Sequence, residues 1–199
     1  MLDLRPNQRA INRFIGELTR NWDTGETLEI RCIRENFKSH TTRFAQHAFD
    51  EAVEHIVSMN RTHNIYACVN PVPDTTRGSA KNEHIKRAYF GFVDGDELGA
   101  ADRARDCDWF DIAMEVITGV KPHLRNHIYY RFNKPMEDMH QWTELQKLLI
   151  SYLKTDKVIH NPSRIMRVAG TVTFPPMKKL DLGYVSEVTK LLIGGHYVE

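Results

Sequence analysis

The sequence predicts an α+β fold. Three long segments carry helical periodicity, at least four short apolar runs read as strands, and several of those strands fall outside regular β–α–β alternation. That pattern argues against a doubly wound parallel sheet. The 199 residues are 41% hydrophobic and 27% charged, a composition that folds and dissolves rather than one that stays disordered.

The elements follow in order. Ile11, Phe14, Ile15 and Leu18 recur at helical spacing between Asn7 and Thr19. Asp23-Thr24-Gly25 is a turn, and Thr27 to Ile33 alternates as a strand does. A helix is expected from Phe44 to Met59, with Ala48, Phe49, Ala52, Val53, Ile56 and Val57 on its apolar face. Ile65 to Val69 is a second strand, closed by Asn70-Pro71 and a turn-rich loop from Val72 to Ser79. Ala88 to Val93 is a third strand. Ala101 to Val116 is expected to be helical. His127 to Phe132 is a strand stopped by Asn133, Lys134 and Pro135. Glu137 to Leu153 is a helix with Trp142, Leu145, Leu148, Leu149 and Tyr152 on one face, and Ile165 to Phe174 reads as a last strand or a strand with a turn.

Net charge is +1, so a grip on an anionic partner has to come from local clustering. Arg77, Lys81, Lys86 and Arg87 form one cluster, and Lys121, Arg125, Arg131 and Lys134 another. Such stripes can track a nucleic-acid backbone, although most are solvated faces. Tyr66, Tyr89, Tyr129 and Tyr130 could stack on bases or simply pack. Cys32, Cys68 and Cys107 are too few and too scattered for a zinc site or a disulfide framework, and read as thiols of a reducing compartment. No stretch approaches the roughly 20 apolar residues of a membrane span, and the opening MLDLRPNQRAI lacks a signal-peptide core. A cytoplasmic protein is expected.

Three stretches bear chemistry. In FGFVDGDEL, Phe90 to Leu98, an apolar strand ends in Asp94 and Asp96. Residues two apart on a strand share a face, and paired carboxylates with oxygen-only donors suit Mg²⁺ or Mn²⁺; a solvated acidic turn is the plainer reading. In TGVKPHLRNHIYYRF, Thr118 to Phe132, alternation puts His127, Tyr129 and Arg131 on one face, with Arg125 at the strand entrance, a set that suits an anionic oxygen. His123 reads as a loop residue. In HNPSRIMRVAGTVTFP, His160 to Pro175, Arg164 and Arg167 flank apolar residues, and Asp156 stands just upstream. Two arginines in an apolar strand need carboxylate or phosphate partners.

The order of these stretches, D-x-D, then a strand-borne His, then Asp followed by NPSRIMRVAGT, resembles the archaeo-eukaryotic primase superfamily. The likeness is closest to the primase–polymerase domains of phage and plasmid replication proteins and runs from about residue 65 to 176. The resemblance implies an α+β catalytic core with an RRM-like mixed or antiparallel sheet flanked by helices. It also implies one domain over 1–199, helix-rich in 1–64 and motif-bearing in 65–176, with room for a helicase in a longer protein. By the same resemblance Asp94, Asp96 and Asp156 would hold two divalent metals, with Asp181 or Glu187 as alternatives to Asp156. His127 would contact the phosphates of an incoming nucleotide, and Arg125, Arg164 and Arg167 would hold triphosphate or template. The implied substrates are nucleoside triphosphates and a single-stranded DNA template. Two positions depart from the family pattern: Arg125-Asn126-His127 replaces Ser-x-His, and Gly95 stands where an apolar residue usually separates the two acids. A non-catalytic DNA-binding module and a metal-dependent nuclease or rolling-circle initiator are the competing functions, the last weakened by the lack of an H-x-H motif.

Overall fold

The computed structural model describes residues 4–198. In chain order these form α1 (Gln8–Thr19), β1 (Glu26–Ile33), β2 (His40–Phe44), α2 (Phe49–Met59), β3 (Asn64–Cys68), β4 (Val72–Pro73), β5 (Ala88–Gly95), α3 (Ala100–Arg105), β6 (Ile112–Gly119), β7 (Arg125–Met136), α4 (Met139–Leu153), β8 (Ile165–Arg167), α5 (Met177–Leu180), β9 (Lys190–Ile193) and β10 (His196–Tyr197). The strands make two five-stranded sheets. The first runs β2-β1-β3-β8 with β4 paired to β1, and the second runs β10-β9-β6-β7-β5. Every pairing is antiparallel, so the α+β expectation holds. Because β1 pairs with β3, the segment before residue 64 contributes two strands to the first sheet as well as helices.

Helix α1 starts where the Asn7 side chain accepts the Ala10 N–H at 2.9 Å, an N-cap that satisfies one of the free donors of the first turn. Its apolar face, Ile11, Phe14, Ile15 and Leu18, is fully buried. Phe14 meets Tyr129 of β7 edge-on at 6.0 Å, and Glu17 accepts from Arg131 of the same strand. At its other end the Asn7 N–H donates to the Gly170 carbonyl at 2.7 Å. A Cβ at Gly170, where φ is +78°, would come within 2.5 Å of the Asn7 carbonyl oxygen, so the glycine of the VAGT run lets α1 dock against the segment that follows β8.

Four expected elements differ. Residues 101–116 divide into the short helix α3, a loop and strand β6: helix propensity ends with the alanines, and Ile112, Val116 and Ile117 favour a pleated surface. Phe44 ends β2 instead of starting a helix, and α2 begins at Phe49. Strand β7 continues through Pro135 to Met136. After β8 the chain leaves the ladder at Val168 and turns, so of the two readings of 165–174 the strand with a turn is the one found, its strand only three residues long. On α4 the buried face is Trp142, Gln146, Leu149, Ile150 and Leu153, which leaves Leu148 and Tyr152 outside.

Strand β5 is an edge of its sheet, and its outward backbone groups need partners. Helix α4 supplies them. Trp142 Nε1–H donates to the Phe90 carbonyl at 2.9 Å, while Gln146 accepts from the Phe92 N–H at 3.3 Å and donates to the Phe92 carbonyl. One step further along the same edge, the Asp156 N–H donates to the Asp94 carbonyl at 3.2 Å. The side chain of Gln146 thus pins the helix to the strand, and the chain leaving the helix is stitched to the strand's acidic end.

Candidate active site

The β5–β7 register sets Asp94 opposite His127, Phe92 opposite Tyr129 and Phe90 opposite Arg131. One face of the second sheet therefore ends in an acid beside an imidazole. Asp96 lies just past the strand and borders the same corner. The intervening glycine is forced: a Cβ at Gly95 would fall 2.5 Å from Asn126 Oδ1 and 3.0 Å from the backbone of Ala101. No apolar side chain fits there, because the start of α3 packs directly on the strand end.

Burial pushes the Asp94 carboxyl up to about 7, with the charges of Asp96 and then Asp156 raising it further and those of Lys179 and Arg167 opposing. The structure thus brings Asp94, Asp96 and Asp156 within electrostatic reach of one another. Asp156 Oδ1 also accepts the Val158 N–H at 3.1 Å, which holds its own turn. Asp181, an alternative third acid, is exposed on the last turn of α5. Glu187, the other, is engaged by the Val120 N–H and by Arg125.

His127 is buried, and burial together with the nearby Arg167 charge pushes its pKa down to about 3. It is a neutral imidazole at ordinary pH. Its Nε2 stands 3.7 Å from Asp94 Oδ1, too far for a hydrogen bond, and its Nδ1 is buried with no hydrogen-bond partner. Arg167 comes from the other sheet. It sits opposite Tyr66 in the β3–β8 pairing, lies over the Tyr66 ring at 4.8 Å, and donates to Tyr66 Oη at 2.9 Å and Asn64 Oδ1 at 2.6 Å.

Arg125 is buried under Asp96. Its Nε is 3.8 Å from Asp96 Oδ1, its Nη2 is 3.3 Å from Glu187 Oε2, and Tyr184 covers its guanidinium at 4.1 Å. Three contributors carried no signal in the sequence. Lys179 Nζ is 3.0 Å from Asp96 Oδ2, Tyr184 stacks against both Arg125 and Lys179, and His123 Nε2 lies 2.7 Å from the Asp96 carbonyl. Arg164 stands apart from this corner. Its guanidinium donates to the Val158 carbonyl, and it makes no ion pair among the described residues, so the expected pairing with a carboxylate is not what holds it.

Other expected contacts resolve into packing. Tyr129, Tyr130 and Tyr89 are buried, Arg131 is tied to Glu17, and Arg87 is tied to Asp23 and Glu137.

Two cavities meet at Asp96. One, of about 270 Å³, lies between the sheets and is lined by Tyr66, Arg125, Arg167, Lys179 and Tyr184. The other, about 930 Å³, opens on the α4 side and is lined by Glu97, Lys147, Ser151, Lys154, Asp156 and Lys157. Asp96 borders both, and Asp156 borders the larger one.

Three solved structures share this architecture. The AEP domain of the cyanophage S-2L primase–polymerase matches with a TM-score of 0.62 at 23% identity, over 96% of this chain and 93% of that one. The fold is that of AEP primase–polymerase domains. The primase RepB′ matches with a TM-score of 0.60 at 12% identity, over 93% of this chain and 57% of that one. The catalytic domain of RepB′, solved in complex with initiator DNA, matches with a TM-score of 0.54 at 12% identity over 94% of this chain and 87% of that one. No protein-family model matches the sequence, and a search of curated proteins returns no match. The primase–polymerase likeness in structure covers nearly the whole chain, well beyond the 65–176 stretch that carries the sequence motifs. As for location, no helix among the described residues is long and apolar enough to cross a membrane.

The donors at the corner are all carboxylate oxygens, which suit Mg²⁺ or Mn²⁺. Asp94 is raised first by its burial and then by the charges of Asp96 and Asp156, so a bound cation would relieve part of that cost. Among the described residues no trio of His, Cys, Asp and Glu stands in a ligating arrangement, and Asp96 pairs with Lys179 at 3.0 Å. The chemistry of the set fits a divalent cation; Asp96 has to release Lys179 to join it.

Proposed function

We propose that this chain is a template-dependent nucleotidyltransferase, a primase or DNA polymerase that joins nucleoside triphosphates on single-stranded DNA. The observation that carries the reading is the cluster of Asp94, Asp96 and Asp156, in which Asp96 borders both a cation-lined pocket and an open groove. In this reaction the 3′-oxygen of the growing strand attacks the α-phosphorus of the incoming triphosphate, the bond to the β-phosphate oxygen breaks, and pyrophosphate leaves.

The residues divide the work. Asp94, Asp96 and Asp156 would hold Mg²⁺ or Mn²⁺, which when bound lower the pKa of the attacking hydroxyl and neutralise the leaving pyrophosphate. Arg167, already oriented by Asn64 and Tyr66, presents its guanidinium to the triphosphate, and Lys179 adds a second positive charge once it leaves Asp96. Neutral His127 offers an N–H to a phosphate oxygen without charge repulsion from Arg167. Arg125 keeps Asp96 in place from below. A helicase, fused or separate, is the partner such an activity calls for during phage or plasmid replication.

The decisive experiment is extension of a labelled primer on a single-stranded template with Mg²⁺ or Mn²⁺, comparing the parent with Asp94→Asn and Asp96→Asn. Template-directed extension by the parent alone supports the reading, no extension by the parent refutes it, and extension by both variants would keep the activity but remove these acids from it. One observation favours a second reading, a DNA-binding module without catalysis: Asp96 already has two cationic partners. DNA binding without nucleotide incorporation by the parent would select it.

A further inference from the structure

The larger cavity begins at the acids and continues along α4 past Lys147, Ser151, Lys154 and Lys157. Lys147 is paired to Glu144 at 2.8 Å, whereas Lys154 and Lys157 have no ion-pair partner among the described residues. Lys154 is also in an uncommon conformation. It caps the C-terminus of α4 in the left-handed region, φ 51° and ψ 50°, a position that glycine fills most easily. A lysine held there bears a backbone penalty for which the fold offers no packing return, since its side chain is exposed. Such outliers gather where a side chain has a task.

On the adjoining face of α4, one residue from Ser151, Tyr152 stacks on Trp109 with ring centroids 4.4 Å apart and planes 19° from parallel. Both rings are wet, at 51% and 43% exposure. The chain's other tryptophans, Trp22 and Trp142, are buried. Unpaired ammonium groups in an open groove, with an exposed aromatic pair on another face of the same helix, are a combination that binds single strands: cations track the phosphates and rings stack on unpaired bases.

We infer that the groove along α4 is the track of single-stranded DNA leading to the acidic corner, with Lys154 and Lys157 on its phosphates and the Trp109–Tyr152 pair receiving a base. This rests on the nucleotidyltransferase reading and assigns it the strand's path. Duplex DNA, whose bases are already stacked, fits the track less well.

The test uses labelled oligo-dT and fluorescence anisotropy with EDTA present, so that neither metal nor catalysis enters. Oligo-dT should quench Trp109 emission, the one exposed indole. Trp109→Ala should weaken binding roughly fivefold or more, the low end of what one stacked base contributes. Lys147→Ala/Lys154→Ala/Lys157→Ala should lower the slope of log affinity against log salt by about 2. Lys154→Gly separates function from folding: it removes the strained Cβ, so it should melt at or above the parent while binding DNA more weakly. If the parent extends primers but these variants bind oligo-dT as the parent does, the track is wrong and the enzymatic reading stands. Equal affinity for duplex without quenching of Trp109 also overturns the track. A parent that neither binds oligo-dT nor extends primers removes the enzymatic reading and the track with it.

Discussion

Asp94 gives the sharpest test of the acidic corner, because its raised pKa ties charge to stability. In the unfolded chain its carboxyl titrates near its ordinary value of 3.8, and in the fold near about 7. Between those values the native state holds a proton that the unfolded state has lost, so stability falls as pH rises through roughly 4 to 7 and stays low above it. The separation corresponds to roughly 4 kcal/mol at about 1.4 kcal/mol per pH unit. Asparagine keeps the shape and removes the charge. Asp94→Asn should therefore gain on the order of 3 kcal/mol at pH 8 and almost nothing at pH 4, which for a chain of this length is roughly 6–12 °C in Tm. Thermal unfolding at a series of pH values reads this directly. The parent should also gain Tm at pH 8 on adding Mn²⁺, since a ligand of the native state stabilises it, while Asp94→Asn should not. An Asp94→Asn variant with the parent's Tm at pH 8 and the parent's pH slope would show that the carboxylate is not stranded among its neighbours, and the reasoning from the acidic corner would fail.

Three further outcomes follow from the same geometry. Because burial and Arg167 hold His127 neutral down to about pH 3, His127→Ala should leave the pH dependence of the nucleotide KM unchanged between pH 5 and 8, and should raise that KM several-fold with template affinity unchanged in an anisotropy titration. Arg167→Ala should keep the melting temperature within a few degrees and lose incorporation, whereas Arg164→Ala, which frees only the Val158 carbonyl, should cost about 1–2 kcal/mol and stay active; a thermal scan beside an extension assay checks the pair. Lys179→Met should raise affinity for Mn²⁺ without nucleotide, measured by the loss of free-ion EPR signal, because Asp96 no longer has an ammonium to release, and should weaken nucleotide binding.

Much of this corner was legible in the chain. Alternation along β5 put Asp94 at the strand end with Asp96 next but one, and alternation along β7 put His127, Tyr129 and Arg131 on one face, as the register bears out. Arg167 ends β8 and its charge acts on Asp94 and His127, whereas Arg164 precedes the strand and donates to the Val158 carbonyl. What could not be read was set by tertiary contacts. Nothing local distinguishes Lys179 from Lys178 in PPMKKL; only the docking of α5 beside Asp96 does. Tyr129 and Tyr130 look like stacking residues by type, but their strand is central in its sheet and both rings are buried. The helix expected over 101–116 failed because AADRAR favours a helix while the β-branched run after Asp111 does not, and one window spanned both.

The position of Asp156 shows how an edge strand builds the site. A β5 edge left bare would expose unpaired carbonyls and invite another strand. Covering it with α4 solves that problem in three successive steps, at Phe90, Phe92 and Asp94, by Trp142, Gln146 and the Asp156 amide. The third step brings a carboxylate beside two others, which a stability criterion alone would reject, since it adds to the repulsion that raises Asp94. The compensation present is cationic and comes from outside the strand: Lys179 and Arg125 on Asp96, and the more distant Arg167. These three cations line the pocket on one side of the acids, and on the other side Lys154 and Lys157 are left without acidic partners. The fold thus tolerates an acidic cluster compensated from one side by Lys179, Arg125 and Arg167, with the unpaired Lys154 and Lys157 on the other, an arrangement that anionic ligands and a divalent cation would complete.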